Sequence, residues 1–160
     1  MKLIYDFILV TGVIISLIIL FLLVRSKNKK LQKKILIIFF SLMLLLNLHA
    51  YSALHRLELL YKATFLVNIS VIWFLGPLIL VYLKSVFQKE KGLIRSNLKH
   101  FLGFFIFTLL IGLPISVFQL IDQPSFKYLQ YIDDNQVAIV ILSNIVFILY
   151  IYLSLRIFNS

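Results

Sequence analysis

Apolar and charged positions in this chain do not alternate; they fall in blocks. Five stretches without a formal charge, residues 7–24, 35–54, 63–83, 101–121 and 135–155, each run for 18 to 21 residues. At about 1.5 Å per helical residue, each is long enough to cross a hydrocarbon layer about 30 Å thick. The pattern predicts an all-α fold, a polytopic transmembrane bundle of five helices over about 4–24, 35–54, 63–86, 98–121 and 135–157. With no internal repeat and no low-complexity linker, residues 1–160 are expected to form a single transmembrane domain. The first stretch holds fifteen Leu, Ile, Val or Phe among its eighteen residues, which favour insertion by roughly 5 to 9 kcal/mol. Lys2 and Asp6 precede it, and Arg25, Lys27, Lys29, Lys30, Lys33 and Lys34 follow it. With these flanks the segment is expected to be a retained anchor, not a cleaved leader.

Proline interrupts two of the blocks, at Pro77 in the third and Pro114 in the fourth. Each removes a backbone donor and crowds the carbonyl one turn earlier, so both helices are expected to kink, with Gly76 and Gly112 adding to the bends. Such kinks shape packing or act as hinges. Between the fourth and fifth helices, residues 122–136 mix Phe126, Tyr128, Leu129, Tyr131 and Ile132 with polar positions, as expected of a loop anchored at the headgroup level.

Composition agrees with the block pattern. Apolar residues make up 62% and charged residues 14% of the chain, and the mean hydropathy is +1.04. A soluble domain carries about 25% charged and 45 to 50% apolar residues, so this chain could not cover a water-facing surface. Cysteine is absent, which excludes disulfides, thiolate catalysis and thiolate metal sites. The net charge of +10 would suggest nucleic acid in a soluble protein, but its distribution gives it another meaning. The densest basic run, Arg25 to Lys34, is expected on the cytoplasmic side, which puts the amino terminus outside and the carboxyl end inside. Twelve bases and one acid then lie inside, against four bases and five acids outside. Basic loops beside anionic lipid headgroups are worth about 1 kcal/mol per cation, a sufficient role for them.

Enzyme chemistry finds little support. The six acids sit in loops or at helix ends, and Asp133 and Asp134 are adjacent but solvated. His49, His55 and His100 lack a second ligand at the three- or four-residue spacing of a helical metal site. No phosphate loop is present. No cofactor and no catalytic residue is therefore expected. Polar residues inside the apolar blocks remain: Asn47, His49, Asn68 and Asn144, with Thr11, Ser116 and Gln119, fall in the expected outer half, while Thr108, Tyr82 and Ser154 fall in the inner half. Polar groups in lipid turn inward and pair across helices. They either hold the helices together or line a pocket open to the outside for a small molecule or a partner helix. No formal charge lies in a helix interior, which disfavours a proton-coupled transporter.

Several runs carry a resemblance. The third helix reads Phe74-Leu75-Gly76-Pro77-Leu78 and ends Val81-Tyr82-Leu83-Lys84-Ser85; after a basic loop the fourth begins Leu98-Lys99-His100-Phe101-Leu102. With the anchor, the Lys-rich loop and the Leu-rich second helix, this order resembles the membrane region of AraC-type helix-turn-helix transcriptional regulators of Bacteroidetes. The resemblance spans most of the 160 residues on short apolar motifs. Two departures stand out: Gly103 occupies a position where many relatives have proline, and the family continues into further membrane segments and a cytoplasmic DNA-binding domain, whereas this sequence stops at Ser160. The resemblance implies a non-catalytic sensor or anchor module of a regulator in the bacterial inner membrane, truncated before its helix-turn-helix domain. No residue here is expected to contact DNA directly, since no segment could place a polar helix in a major groove. The alternative is a stand-alone small membrane protein that scaffolds a partner complex. Expected partners are the lipid bilayer, other membrane helices or a second copy of the chain.

Overall fold

The computed structural model describes residues 2–27, 30–87, 93–121 and 134–157. The described residues are all-α. The helices are α1 (Lys2–Arg25), α2 (Leu31–His55), α3 (Glu58–Phe87), α4 (Leu93–Asn97), α5 (Leu102–Phe107), α6 (Leu113–Ile121) and α7 (Gln136–Arg156). A 3-10 turn, Leu98–Phe101, joins α4 to α5, and a π turn, Thr108–Gly112, joins α5 to α6. Five helical spans are long and apolar enough to cross a membrane: Leu3–Arg25, Leu31–His55, Glu58–Phe87, Arg95–Phe118 and Val137–Arg156. Lys29 of the basic run, the short loop with Lys89, Glu90 and Lys91, and the aromatic loop from Asp122 to Asp133 lie outside the described residues.

The helices do not end where the charge-free blocks end. α2 starts at Leu31 and takes in Gln32, Lys33 and Lys34, and α3 starts at Glu58, ahead of Lys62. A charge ends the part of a helix that hydrocarbon tolerates, but Lys, Gln and Glu are good helix formers and continue the backbone into the headgroup layer. The fourth span departs further from its expectation, being a succession of short segments. Pro114 cannot donate to the carbonyl of Leu110, and its ring crowds that carbonyl. The wider π turn immediately before α6 makes room there, in keeping with the way helices absorb such insertions. Pro77 behaves differently. It lies inside the unbroken α3 and is among the most fully buried side chains of the protein.

The chain divides into two units, Met1–Asn68 and Ile69–Ser160. In the first, α1 and α2 pack against each other in antiparallel fashion, as contacts between early α1 and late α2 require. Asp6 meets His55, and Gly12 faces Asn47 so closely that a Cβ on Gly12 would sit 2.8 Å from the Asn47 Oδ1. At the opposite end Lys33 Nζ donates to the Ser26 carbonyl, placing a cation where α1 leaves its last carbonyls unpaired. α2 stops at Arg56, whose φ of 55° is left-handed. There the Leu57 N–H reaches back to the Ser52 carbonyl at 2.9 Å, and the Arg56 N–H to that of Ala53 at 3.5 Å. This pattern closes a helix end when C′ is left-handed.

In the second unit, the later part of α3 packs against both the fourth span and α7. Phe74 packs on Phe101 and Phe104 with ring centroids 5.2 and 4.9 Å away, and Trp73 stacks on Phe107 at 4.8 Å. Lys84 reaches Asn97. Late residues of α3 thus meet early residues of the fourth span, and the two run antiparallel. α7 runs parallel to α3, since Ser143 meets Trp73 and Tyr150 lies over Gly76. Val71, Leu75, Leu78, Leu80 and Val81 of α3 are buried, as is Phe107. A Cβ on Gly76 would lie 2.9 Å from the Tyr150 Cβ, an atom that cannot move without α7.

Two outcomes follow for thermal unfolding in detergent, read by the fluorescence of Trp73, the single tryptophan. Gly76→Ala destabilises by about 1 to 3 kcal/mol, the usual cost of overpacking a core contact. Arg56→Gly stabilises by about 0.5 to 1 kcal/mol, because the left-handed conformation penalises every side chain with a Cβ and glycine escapes that penalty at some entropic cost in the unfolded chain.

Candidate functional site

In a hydrocarbon layer a polar side chain has only the protein itself to pair with. In the first unit, α2 presents two polar faces. Asn47 turns toward α1 and Gly12, and its Nδ2 donates to the Met43 carbonyl one turn back at 2.9 Å. His49, two residues on and therefore on the far side of the helix, is buried against the first turns of α3. Its ring stacks on Tyr61 with centroids 4.6 Å apart, and Nδ1 lies 2.9 Å from Thr64 Oγ1. The Thr64 hydroxyl has one proton, which it gives to the Leu60 carbonyl at 2.7 Å; His49 Nδ1 is accordingly the donor in the other bond. Ser52 closes the cluster by donating to the His49 carbonyl at 2.7 Å. Asn47 and His49 do not share one pocket. Asn47 lies against α1 with its hydrogen bond kept on its own helix, whereas His49 ties α2 to α3.

At the end of the same unit, His55 Nε2 lies 2.6 Å from Asp6 Oδ1, both side chains a little over a quarter exposed. The Tyr51 ring covers His55 with centroids 4.3 Å apart. An acid from the first turns of α1 and an imidazole from the last turn of α2 thus form a charge-assisted contact where the two helices begin and end. In the second unit, Trp73 Nε1 donates to Ser143 Oγ at 3.0 Å, and Ser143 in turn donates to the Ile139 carbonyl at 2.8 Å. The Tyr150 hydroxyl donates to the His100 carbonyl at 3.0 Å. Lys84 Nζ donates to Asn97 Oδ1 at 2.8 Å, while the buried Asn97 is fixed through its amide nitrogen to Leu93 O and Ser96 Oγ. Ser116 donates to the Gly112 carbonyl at 2.7 Å. The hydroxyls of Ser70, Thr108 and Ser154 are buried without a partner among the described residues.

The four outer-half residues singled out in the sequence take different positions. Asn47 is half-buried and His49 buried, each held as described, whereas Asn68 in the first unit and Asn144 in the second are exposed. Exposure of an amide is invisible to periodicity, because an exposed position on a membrane helix is as apolar as a buried one. Of the basic run, Lys33 is engaged with Ser26, and Arg25, Lys27, Lys30 and Lys34 are exposed. The side chain of Gln119 lies outside the described residues. The sequence left the Asp6–His55 contact unnoticed, although the signal was present: both residues border apolar blocks, at the two ends that an antiparallel hairpin brings together. Among the described residues no group of three His, Cys, Asp or Glu stands close enough to hold a metal ion.

No family model matches the chain, and no curated protein or solved structure matches it either. The site is therefore described by its geometry: paired polar groups, each bridging two helices or turning back on its own backbone.

Thr64→Val removes the acceptor for the His49 Nδ1–H and leaves a buried donor unpaired. It lowers stability by about 1 to 3 kcal/mol in thermal or denaturant unfolding. Asn68→Leu, at an exposed position, changes stability by less than about 0.5 kcal/mol in the same measurement.

Proposed function

We propose that this chain is a non-catalytic membrane module, the sensor or anchor part of a membrane-bound transcriptional regulator. Its amino terminus lies outside and its carboxyl end lies in the cytoplasm of a bacterial inner membrane. The observation that carries the non-catalytic role is the fate of the inward polar groups. Trp73, Ser143, His49, Thr64 and Tyr150 direct their hydrogen bonds at neighbouring helices or their own backbone, the way polar residues hold membrane bundles together. The orientation is supported by the sequence count of twelve bases on the proposed inner side against four on the outer. The regulatory role is supported by the residue runs from Phe74 to Ser85 and from Leu98 to Leu102, which resemble the membrane region of AraC-type regulators. In that role this chain touches no DNA, and a helix-turn-helix domain following or accompanying it does so. A module of this kind acts by shifting the packing of its helices.

Two measurements test the proposal. Alkaline phosphatase fused after residue 157 stays inactive and a fluorescent protein at the same place is bright, with the opposite result for fusions in the loop after α2; the reverse pattern overturns the orientation. Deleting the gene changes the transcripts of a limited gene set, and restoring the chain restores them. Unchanged transcripts together with loss of a co-purifying membrane complex would sink the regulator and leave the scaffold.

A further inference from the structure

The helix α7 has two unlike faces. Ser143, Tyr150 and Ser154 mark the face turned into its own unit: Ser143 and Ser154 are buried, Ser143 meets Trp73, and Tyr150 lies over Gly76. About a third of the way round the helix, within a broad exposed surface that also takes in Leu142, Ile145, Leu149 and Tyr152, Val137, Ile141, Asn144, Ile148, Ile151 and Leu155 form the one stripe that carries an amide, and all six are exposed. Their spacing alternates four and three residues, the repeat that keeps one seam of a helix turned toward another helix along its whole length. The five apolar members are 39% to 73% exposed.

Lipid chains cover valine, isoleucine and leucine at no cost, but they offer nothing to a side-chain amide. Asn144 carries two N–H donors and a carbonyl acceptor and has no hydrogen-bond partner among the described residues. It stands in the middle of the stripe, with apolar seam residues on both sides. Asn47, also within a span, is treated differently: it is half-buried and turned back on the Met43 carbonyl.

We infer that α7 docks against α7 of a second copy of this chain, with the two Asn144 amides hydrogen-bonded to each other. Two copies inserted in the same sense place their α7 helices parallel, and a twofold axis along the membrane normal brings identical positions face to face at identical depth. An amide is complementary to itself across such an axis, since each N–H donates to the other carbonyl. A lipid has no such group in its hydrocarbon layer, and a second copy supplies one in the required register. The flanking seam residues then pack against their own counterparts, as heptad positions do. This interface is independent of the sensor or anchor role and of the orientation of the chain.

Because the chain has no cysteine, introduced cysteines report only on their own site. The full chain carrying Ile148→Cys, in phosphatidylcholine and phosphatidylglycerol vesicles, is expected to form a disulfide-linked dimer on mild oxidation. Leu142→Cys, on another exposed flank of α7, is expected to yield at least about fivefold less. Adding Asn144→Leu to Ile148→Cys lowers the yield about three- to thirtyfold, the range of interhelical hydrogen bonds in membranes, whereas adding Asn144→Gln keeps most of it. Trp73 fluorescence melting shows that each variant remains folded. Equal yields at the two cysteine positions, or an unchanged yield with Asn144→Leu, overturn the proposal. So does cross-linking in native membranes to a different polypeptide instead of a second copy.

Discussion

Water is the cheapest hydrogen-bond partner a protein has, and the hydrocarbon layer withholds it. Many polar groups of this structure are arranged as that constraint would require, while Ser70, Thr108 and Ser154 are buried without a partner among the described residues. Backbone groups are satisfied within helices, and where a proline breaks the ladder in the fourth span the chain widens into a π turn. The side chains that find partners do so in two ways. Asn47, Ser116 and Ser143 donate to carbonyls one turn back on their own helix, while His49 and Trp73 donate to a hydroxyl on another helix. The second kind turns a liability into a fastening, because a group that cannot reach water gives up its neighbour only at the full cost of desolvation.

Small residues work with these fastenings. Gly12 lets α1 approach the Asn47 amide, and Gly76 lets Tyr150 lie directly on α3. Without a hydrophobic difference between lipid and side chain, close approach and dispersion hold membrane helices together, and a missing Cβ is what permits the approach. Gly76 precedes Pro77, so the same short run combines a missing backbone donor with the close approach of Tyr150. The buried Pro77 is thereby held from outside by packing and not by its own helix alone.

The five long apolar helices were legible in the sequence because a hydrophobic signal of that length is uninterrupted. The helix ends were less so: α2 begins four residues before its charge-free block, since Lys33 and Lys34 interrupt hydropathy without interrupting a helix. Pro114 announced a disturbance in the fourth span, though not its form. Candidate polar residues were visible as exceptions in apolar runs, but their partners were not. His49 and Thr64 are fifteen positions apart, and Trp73 and Ser143 seventy; only the helix packing brings them together. For the same reason Asn47 and Asn144 looked alike in the sequence, yet one is turned to its own backbone and the other is exposed.

The pairing of α1 with α2 has a consequence for how the protein is made. Its contacts, from Lys33 at Ser26 through Gly12 at Asn47 to Asp6 at His55, all lie within a stretch that ends with α2. A ribosome that has finished α2 has already produced every residue this hairpin needs. The pair can therefore form before α3 is made, giving α3 a ready surface at His49 against which to settle as it emerges.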